Sequence, residues 1–102
     1  MRQFDVLVNP ARGEHAWAPY MVVLQSHYLE PLETTVVAPL IDDTARPVTG
    51  VDVRVAFNGR ELVIAVGELR GSALNGHRRA VGSLAEHEDD IRRALDRLFS
   101  GF

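Results

Sequence analysis

Residues 51–66 read VDVRVAFNGRELVIAV and decide the fold of this chain. From Val51 to Phe57 every second residue is a β-branched or aromatic apolar residue, which is the period of a strand with one buried face. The pair Asn58-Gly59 follows, and a second strand-like run begins directly after it. An Asn-Gly pair between two such runs is the strongest short-range signal for a hairpin, because both central positions of a type I′ turn need positive φ. We therefore predict an antiparallel hairpin with a two-residue turn.

Three stretches before this hairpin also have the composition of strands. They are residues 3–8, 20–25 and 34–38. The third is rich in β-branched residues, is predicted to end at Pro39-Leu40, and is followed by a predicted loop over residues 41–50. Short sequential strands without alternating helices predict an antiparallel sheet.

The C-terminal segment has the pattern of an amphipathic helix. Ser83 and Glu86 have the spacing of a capping box, in which a hydroxyl and a carboxylate each accept a free backbone N–H at the start of a helix. One helical stripe collects the apolar residues Leu84, Ile91, Leu95, Leu98 and Phe102. The predicted fold is therefore mainly β, or β-rich α+β: residues 1–102 form one domain, a small antiparallel barrel-like sheet with one C-terminal α-helix.

Composition excludes several classes of function. The chain has 102 residues, no cysteine and a formal net charge of −3. The absence of cysteine excludes disulfides and thiol nucleophiles, and the acidic balance argues against direct binding to nucleic acid. No apolar run has the length of a membrane span, and residues 1–5 do not resemble a signal peptide, so we expect a cytoplasmic protein without membrane contact.

Side chains that could carry catalysis or hold a metal do not form a recognisable motif. The histidines are His15, His27, His77 and His87. None pairs with another at metal-ligand spacing. Ser26 precedes His27 and Ser83 lies four residues before His87, but neither serine has a nucleophile-elbow sequence around it. The glycines form no phosphate-binding pattern. We expect a binding protein rather than an enzyme, with no cofactor and no metal.

Four segments, in this order, resemble the CcdB family, the toxins of bacterial toxin–antitoxin modules. They are Gln3–Val6, Val23–Ser26, Val36–Leu40 and Asp89–Phe102, and the resemblance covers nearly the whole length. It implies an SH3-like antiparallel sheet with a C-terminal helix and a homodimer. It also implies a toxin that binds the A subunit of DNA gyrase and traps the gyrase–DNA cleavage complex, and that is neutralised by a CcdA-type antitoxin.

The resemblance also implies gyrase-binding positions. In the family the last three residues contact gyrase most, and two apolar residues after a Gln-Ser pair and one polar helix residue contribute. The corresponding residues here are Tyr28, Leu29, Asp96, Ser100, Gly101 and Phe102. Ser100 departs from the family, because it stands where relatives carry a tryptophan. The alternative for Phe102 is packing at a dimer seam, and the alternative for Tyr28 and Leu29 is a place in the core.

Antitoxin contacts are expected in the loops 9–16 and 41–50 by family position. Arg12 and Arg46 in these loops could pair with acidic antitoxin residues. Two functions stay open: a gyrase poison, or a CcdB-fold relative without gyrase poisoning that acts through antitoxin binding and regulation. Ser100 favours the second, and the remainder of the resemblance favours the first. In either case we predict a homodimer whose contact includes the C-terminal ends of both helices, at Leu98, Phe99 and Phe102.

Overall fold

A computed structural model describes residues 2–26, 34–73 and 79–101 of the chain. Its strands are β1 (Asp5–Val8), β2 (Tyr20–Val23), β3 (Thr34–Asp42), β4 (Asp52–Phe57), β5 (Arg60–Ala65), β6 (Arg70–Ala73) and β7 (Gly82–Ser83). Short 3-10 turns lie at Arg12–Glu14, Val66–Glu68 and Ala85–His87, and the helix α1 spans Glu88–Ser100.

The strands form one antiparallel half-barrel sheet. Its order is β4-β5-β3-β2-β1-β7, and β6 pairs with the first part of β3. Within the described residues α1 is the one α-helix, and it packs against this sheet. The predicted fold class, mainly β with a C-terminal helix, is confirmed.

The hairpin of β4 and β5 has the predicted geometry. Asn58 has φ 51° and Gly59 has φ 77°, so both central positions of the turn are left-handed. Phe57 pairs with Arg60 across the two-residue turn, and the ladder runs back to Asp52 opposite Ala65. These angles confirm the predicted type I′ turn. The prediction succeeds because the residues of the turn alone favour this conformation.

Strand β3 does not end at Pro39-Leu40 as predicted. It continues to Asp42, so the predicted loop 41–50 begins later than expected. Residues 34–37 pair with β6 and residues 40–42 pair with β5, whereas Pro39 lies between these two ladders. The missing N–H of Pro39 therefore removes no ladder bond on the edge of β3 that pairs with β5 and β6. The position of Pro39 depends on which strands flank β3, and this is a tertiary property.

The predicted capping box is also wrong. Ser83 belongs to β7 and pairs with Asp5 of β1, and its hydroxyl accepts the N–H of Ala85 at 3.1 Å. The helix α1 begins only at Glu88, after a 3-10 turn, and His87 at the cap position makes no capping bond through its side chain. Pairing with β1 draws Ser83 into the sheet, where it cannot cap the helix.

The sheet is apolar on both faces. Valine and leucine side chains of one face pack with Leu84, Ile91 and Ala94 in the main core. The opposite face carries two smaller buried clusters: Leu7, Met21, Val23 and Val37, and Ala18, Ile41, Val63 and Ala65. Burial of both faces accounts for continuous apolar runs in β2 and β5, where a half-exposed strand would alternate.

Candidate partner-binding site

The last turn of α1 projects side chains that the rest of the described chain does not cover. Gly101 ends the helix with φ 76°, and its N–H donates to the carbonyl of Arg97 at 2.9 Å. This is a left-handed helix end, which glycine adopts without steric cost. Just before it, Phe99 keeps 73% of its surface exposed, which is unusual for a large apolar side chain.

An apolar groove lies beside this end of the helix, and we call it the α1 groove. It has a volume of about 420 Å³, and its apolar lining residues are Leu24, Val36, Leu69, Leu95 and Phe99. Gln25 and Ser26 line it as well, and the Gln25 amide oxygen accepts the N–H of Val36 at 3.3 Å. The groove therefore joins the end of β2 to the C-terminal end of α1.

The structure brings together three of the six predicted gyrase-binding residues. Asp96, Ser100 and Gly101 are all exposed on the last turns of α1 or directly after it. Tyr28, Leu29 and Phe102 lie outside the described residues. Gln25 and Ser26, which precede Tyr28 and Leu29 in sequence, line the α1 groove beside Phe99. The gyrase contacts themselves stay a prediction.

From sequence, Phe99 is expected at the contact between two protomers and not at a partner site. Its exposure beside an apolar groove makes it a candidate for either contact. The sequence signal was its spacing of four from Leu95, which places both side chains on one helical face.

Arg12 and Arg46, the predicted antitoxin contacts, have different surroundings. Arg12 is exposed in the 3-10 turn between β1 and β2, beside a pocket that Val8 and His15 also line. The buried Asn9 organises this loop, because its amide donates to the carbonyl of Ala18 at 2.8 Å and its oxygen accepts the N–H of Ala11 at 3.0 Å. Arg12 therefore projects from a turn that the Asn9 side chain holds by hydrogen bonds.

Arg46, by contrast, uses all of its donors within the chain. Its Nη1 and Nη2 donate to the two carboxylate oxygens of Asp52 at 2.7 and 2.9 Å. Its Nε and Nη2 donate to Glu68 at 3.0 and 2.8 Å, and Nη1 also donates to the carbonyl of Pro47. These bonds take all five guanidinium N–H groups. A contact of Arg46 with an antitoxin stays a prediction, and it would require these bonds to open or to be shared.

The same network sets the ionisation of its members. Hydrogen bonds from Arg46 hold the pKa of Asp52 below its usual value, despite the burial of that carboxylate. The pKa of Arg46 is raised, first by its hydrogen bonds to Asp52 and second by those to Glu68. The network ties the loop 43–51 to β4 and to the turn that follows β5.

Among residues 2–26, 34–73 and 79–101, no three histidine or carboxylate side chains lie close enough together to hold a metal ion. No helix in these ranges is long and apolar enough to cross a membrane. The surfaces that stand out in the described residues are the end of α1, its groove and the arginine-bearing loops.

A search of curated protein sequences finds no match. The model of the family described as CcdB protein matches residues 3–101, which is nearly every residue of the chain. This match agrees with the antiparallel sheet and C-terminal helix and with the toxin class that the four sequence segments imply. The chain belongs to the CcdB family of toxin–antitoxin toxins.

Proposed function

We propose that this protein is a toxin that binds the A subunit of DNA gyrase and traps the gyrase–DNA cleavage complex. The observation that carries the proposal is the exposed C-terminal end of α1. It presents Asp96, Ser100 and Gly101 together, at the positions where the family contacts gyrase. Such a toxin acts by binding and needs no catalytic group of its own. Its place of action is the cytoplasm, where gyrase and DNA are found.

Ser100 sets the expected strength of this contact. Serine has no ring to stack on a cation of the partner, as the tryptophan of relatives does. A central aromatic residue of an interface is worth roughly 2–4 kcal/mol on truncation, which is about 30-fold to 1000-fold in affinity. The exposed ring of Phe99 lies one residue away, and the terminal Phe102 follows Gly101. These rings recover part of the lost contact, so we expect inhibition weaker than in relatives that carry the tryptophan.

A substitution at Ser100 tests the proposal in gyrase supercoiling and cleavage assays. Ser100→Trp should lower the concentration needed for half-maximal cleavage-complex formation by roughly tenfold or more. The matched control is Asp89→Trp, which adds the same ring to the first turn of α1, and it should leave that concentration unchanged. If the wild type and Ser100→Trp both leave gyrase untouched at high concentration, the proposal is wrong.

The second candidate function is antitoxin binding and regulation without gyrase poisoning. The specific observation in its favour is Ser100 itself, because the residue that relatives use for stacking is absent. The two functions differ in a growth assay. Induction of the protein alone in a bacterial host should stop growth if it poisons gyrase, and co-expression of the antitoxin should restore growth. Growth that continues on induction, together with antitoxin binding, would support the second function.

A homodimer is part of the proposal. In the part of the chain that the structure describes, Phe99 and the α1 groove leave apolar surface exposed. In a twofold contact between the helix ends, each chain would cover the same surface of the other. The antitoxin, of the CcdA type, is proposed as the second partner, and Arg12 is the exposed cation most available to it in the predicted loops.

A further inference from the structure

A second concave surface, away from the end of the helix, lies between α1 and the beginning of β4. It has a volume of about 410 Å³, within the range of pockets that hold ligands or peptide side chains. Arg93 and Arg97 line it from one face of α1, and Arg54 lines it from β4. The half-buried side chain of Val48 and the nearly buried side chains of Val53 and Ala94 supply its apolar surface. We call this surface the arginine cleft.

Two of its three cations are only weakly compensated. Arg97 donates one bond, from Nη1 to the carbonyl of Gly50 at 2.9 Å, and has no other partner in the described ranges. Arg54 has one distant ion pair, 3.8 Å from Asp43, and its side chain is 66% exposed. Arg93 is different, because Asp90 neutralises it at 2.5 Å.

Asp52 is the carboxylate that β4 contributes to the cleft, and it does not neutralise Arg54 or Arg97. Both of its oxygens are bonded to Arg46. Asp90 also lines the cleft, and it is paired with Arg93. Guanidinium groups with unused donors on Arg54 and Arg97 therefore border a partly apolar surface, in a chain whose net charge is negative. This combination attracts a carboxylate and at the same time favours an apolar neighbour of that carboxylate.

We infer that the arginine cleft binds an acidic peptide segment of a partner protein, with a carboxylate between Arg54 and Arg97 and an apolar side chain against Val53 and Ala94. Guanidinium groups bind carboxylates through two parallel bonds, and Arg97 is already oriented by its bond to Gly50. The inference deepens the proposed partnership with an antitoxin, and it rests on that part of the proposed function. It assigns the charged contact to β4 and α1, and Val48 and Gly50 of the predicted contact loop 41–50 line the same cleft.

Fluorescence anisotropy with the full chain tests the arginine cleft without gyrase. The probe is a short labelled peptide in which glutamates flank a leucine. We expect saturable binding that weakens as salt is raised. Arg97→Gln and Arg54→Gln should each weaken it by about 3-fold to 10-fold, since each removes a charge-assisted contact at a partly exposed site. The matched control is Arg92→Gln, which removes the same charge from α1 but does not line the cleft, and it should change the affinity by less than about 2-fold.

Several results would overturn the inference. They are the absence of peptide binding, an equal loss of affinity in Arg92→Gln, and unchanged binding of a peptide whose glutamates are replaced by glutamine. Competition by inorganic tripolyphosphate at the same concentration as the peptide would assign the cleft to phosphate instead. If a peptide with serine in place of the leucine binds with unchanged affinity, the cleft makes no apolar contact. That result would contradict the inference. Circular dichroism of each variant confirms that it is folded. The peptide assay contains no gyrase, so a negative peptide result contradicts the arginine cleft and leaves the proposal of gyrase poisoning standing.

Discussion

The carboxylate of Asp52 joins β4 to the loop 43–51 through Arg46 and Thr49. Its side chain is fully buried, and it accepts two bonds from Arg46 and one from the N–H of Thr49 at 2.7 Å. In Asp52→Asn the side chain keeps its shape, but one acceptor becomes an NH₂ donor that faces the guanidinium of Arg46. We therefore expect the variant to lose stability through this network and not through packing.

The magnitude follows from the burial of the two partners. Removal of one partner from a buried ion pair costs about 3–5 kcal/mol. Here the cost is lower, since Arg46 keeps its bonds to Glu68 and about a third of its side chain reaches solvent. We expect Asp52→Asn to lower the free energy of unfolding by about 2–3 kcal/mol at neutral pH. For a domain of this size that corresponds to a melting temperature lower by roughly 10 °C or more.

The pH dependence of the free energy of unfolding shows whether Asp52→Asn acts through the lost charge or through a change of side-chain shape. The folded-state pKa of Asp52 is lower than its value in an unfolded chain, so the ionised carboxylate stabilises the fold fully above about pH 4. That stabilisation is lost as the pH falls through the folded-state pKa. The difference between wild type and Asp52→Asn should therefore shrink as the pH is lowered from about 7 to about 2.

Urea unfolding at several pH values measures this difference. The control is Asp43→Asn, because Asp43 has an exposed and distant ion pair with Arg54, and it should change stability by less than about 0.5 kcal/mol. Equal urea midpoints for Asp52→Asn and wild type would refute the reasoning. A loss that stays constant over the whole pH range would also refute it, since the ionised carboxylate would then not be the cause.

Three further substitutions test the fold and the dimer. Gly82→Ala should cost about 1–3 kcal/mol in thermal unfolding, because its Cβ would lie 2.5 Å from the ring of Phe57, whereas Gly71→Ala has open space and should cost less than about 1 kcal/mol. Gly59→Val should cost about 1 kcal/mol or more, because a β-branched residue is strained at φ 77°, and an unchanged melting temperature would contradict the turn. Phe99→Ser should shift the proposed homodimer toward monomer in light scattering, and a wild type that is monomeric at tens of micromolar would contradict the dimer.

Local sequence patterns predicted the elements whose structure depends mainly on residues close together in sequence. The turn at Asn58-Gly59 needs only two residues that tolerate positive φ, and the structure has them there. The C-terminal helix follows from a stripe of apolar residues, and it spans Glu88–Ser100. The family also followed from sequence, because four ordered segments carry the resemblance and the family model matches residues 3–101.

The candidate site was predictable only in part. Sequence placed Asp96, Ser100 and Gly101 at the end of a helix, and the structure shows all three exposed there. It could not show that Phe99 borders a groove with Leu24, because these side chains come from segments distant in sequence. The arginine cleft has the same origin: the residues that line it lie on the loop 43–51, on β4 and on α1, and only the packing of the helix against the sheet brings them together.

The sequence by itself determined the hairpin, the helix, the family and the absence of thiol chemistry, since each depends on residue identity or on short-range conformation. Tertiary structure alone decided the position of Pro39 between two ladders, the pairing of Ser83 with β1, and the use of Arg46 within the chain. The physical reason is that strand pairing and buried ion pairs join residues far apart in sequence. Their free energy depends on which partners the fold brings within a few ångströms, and no local pattern records that distance.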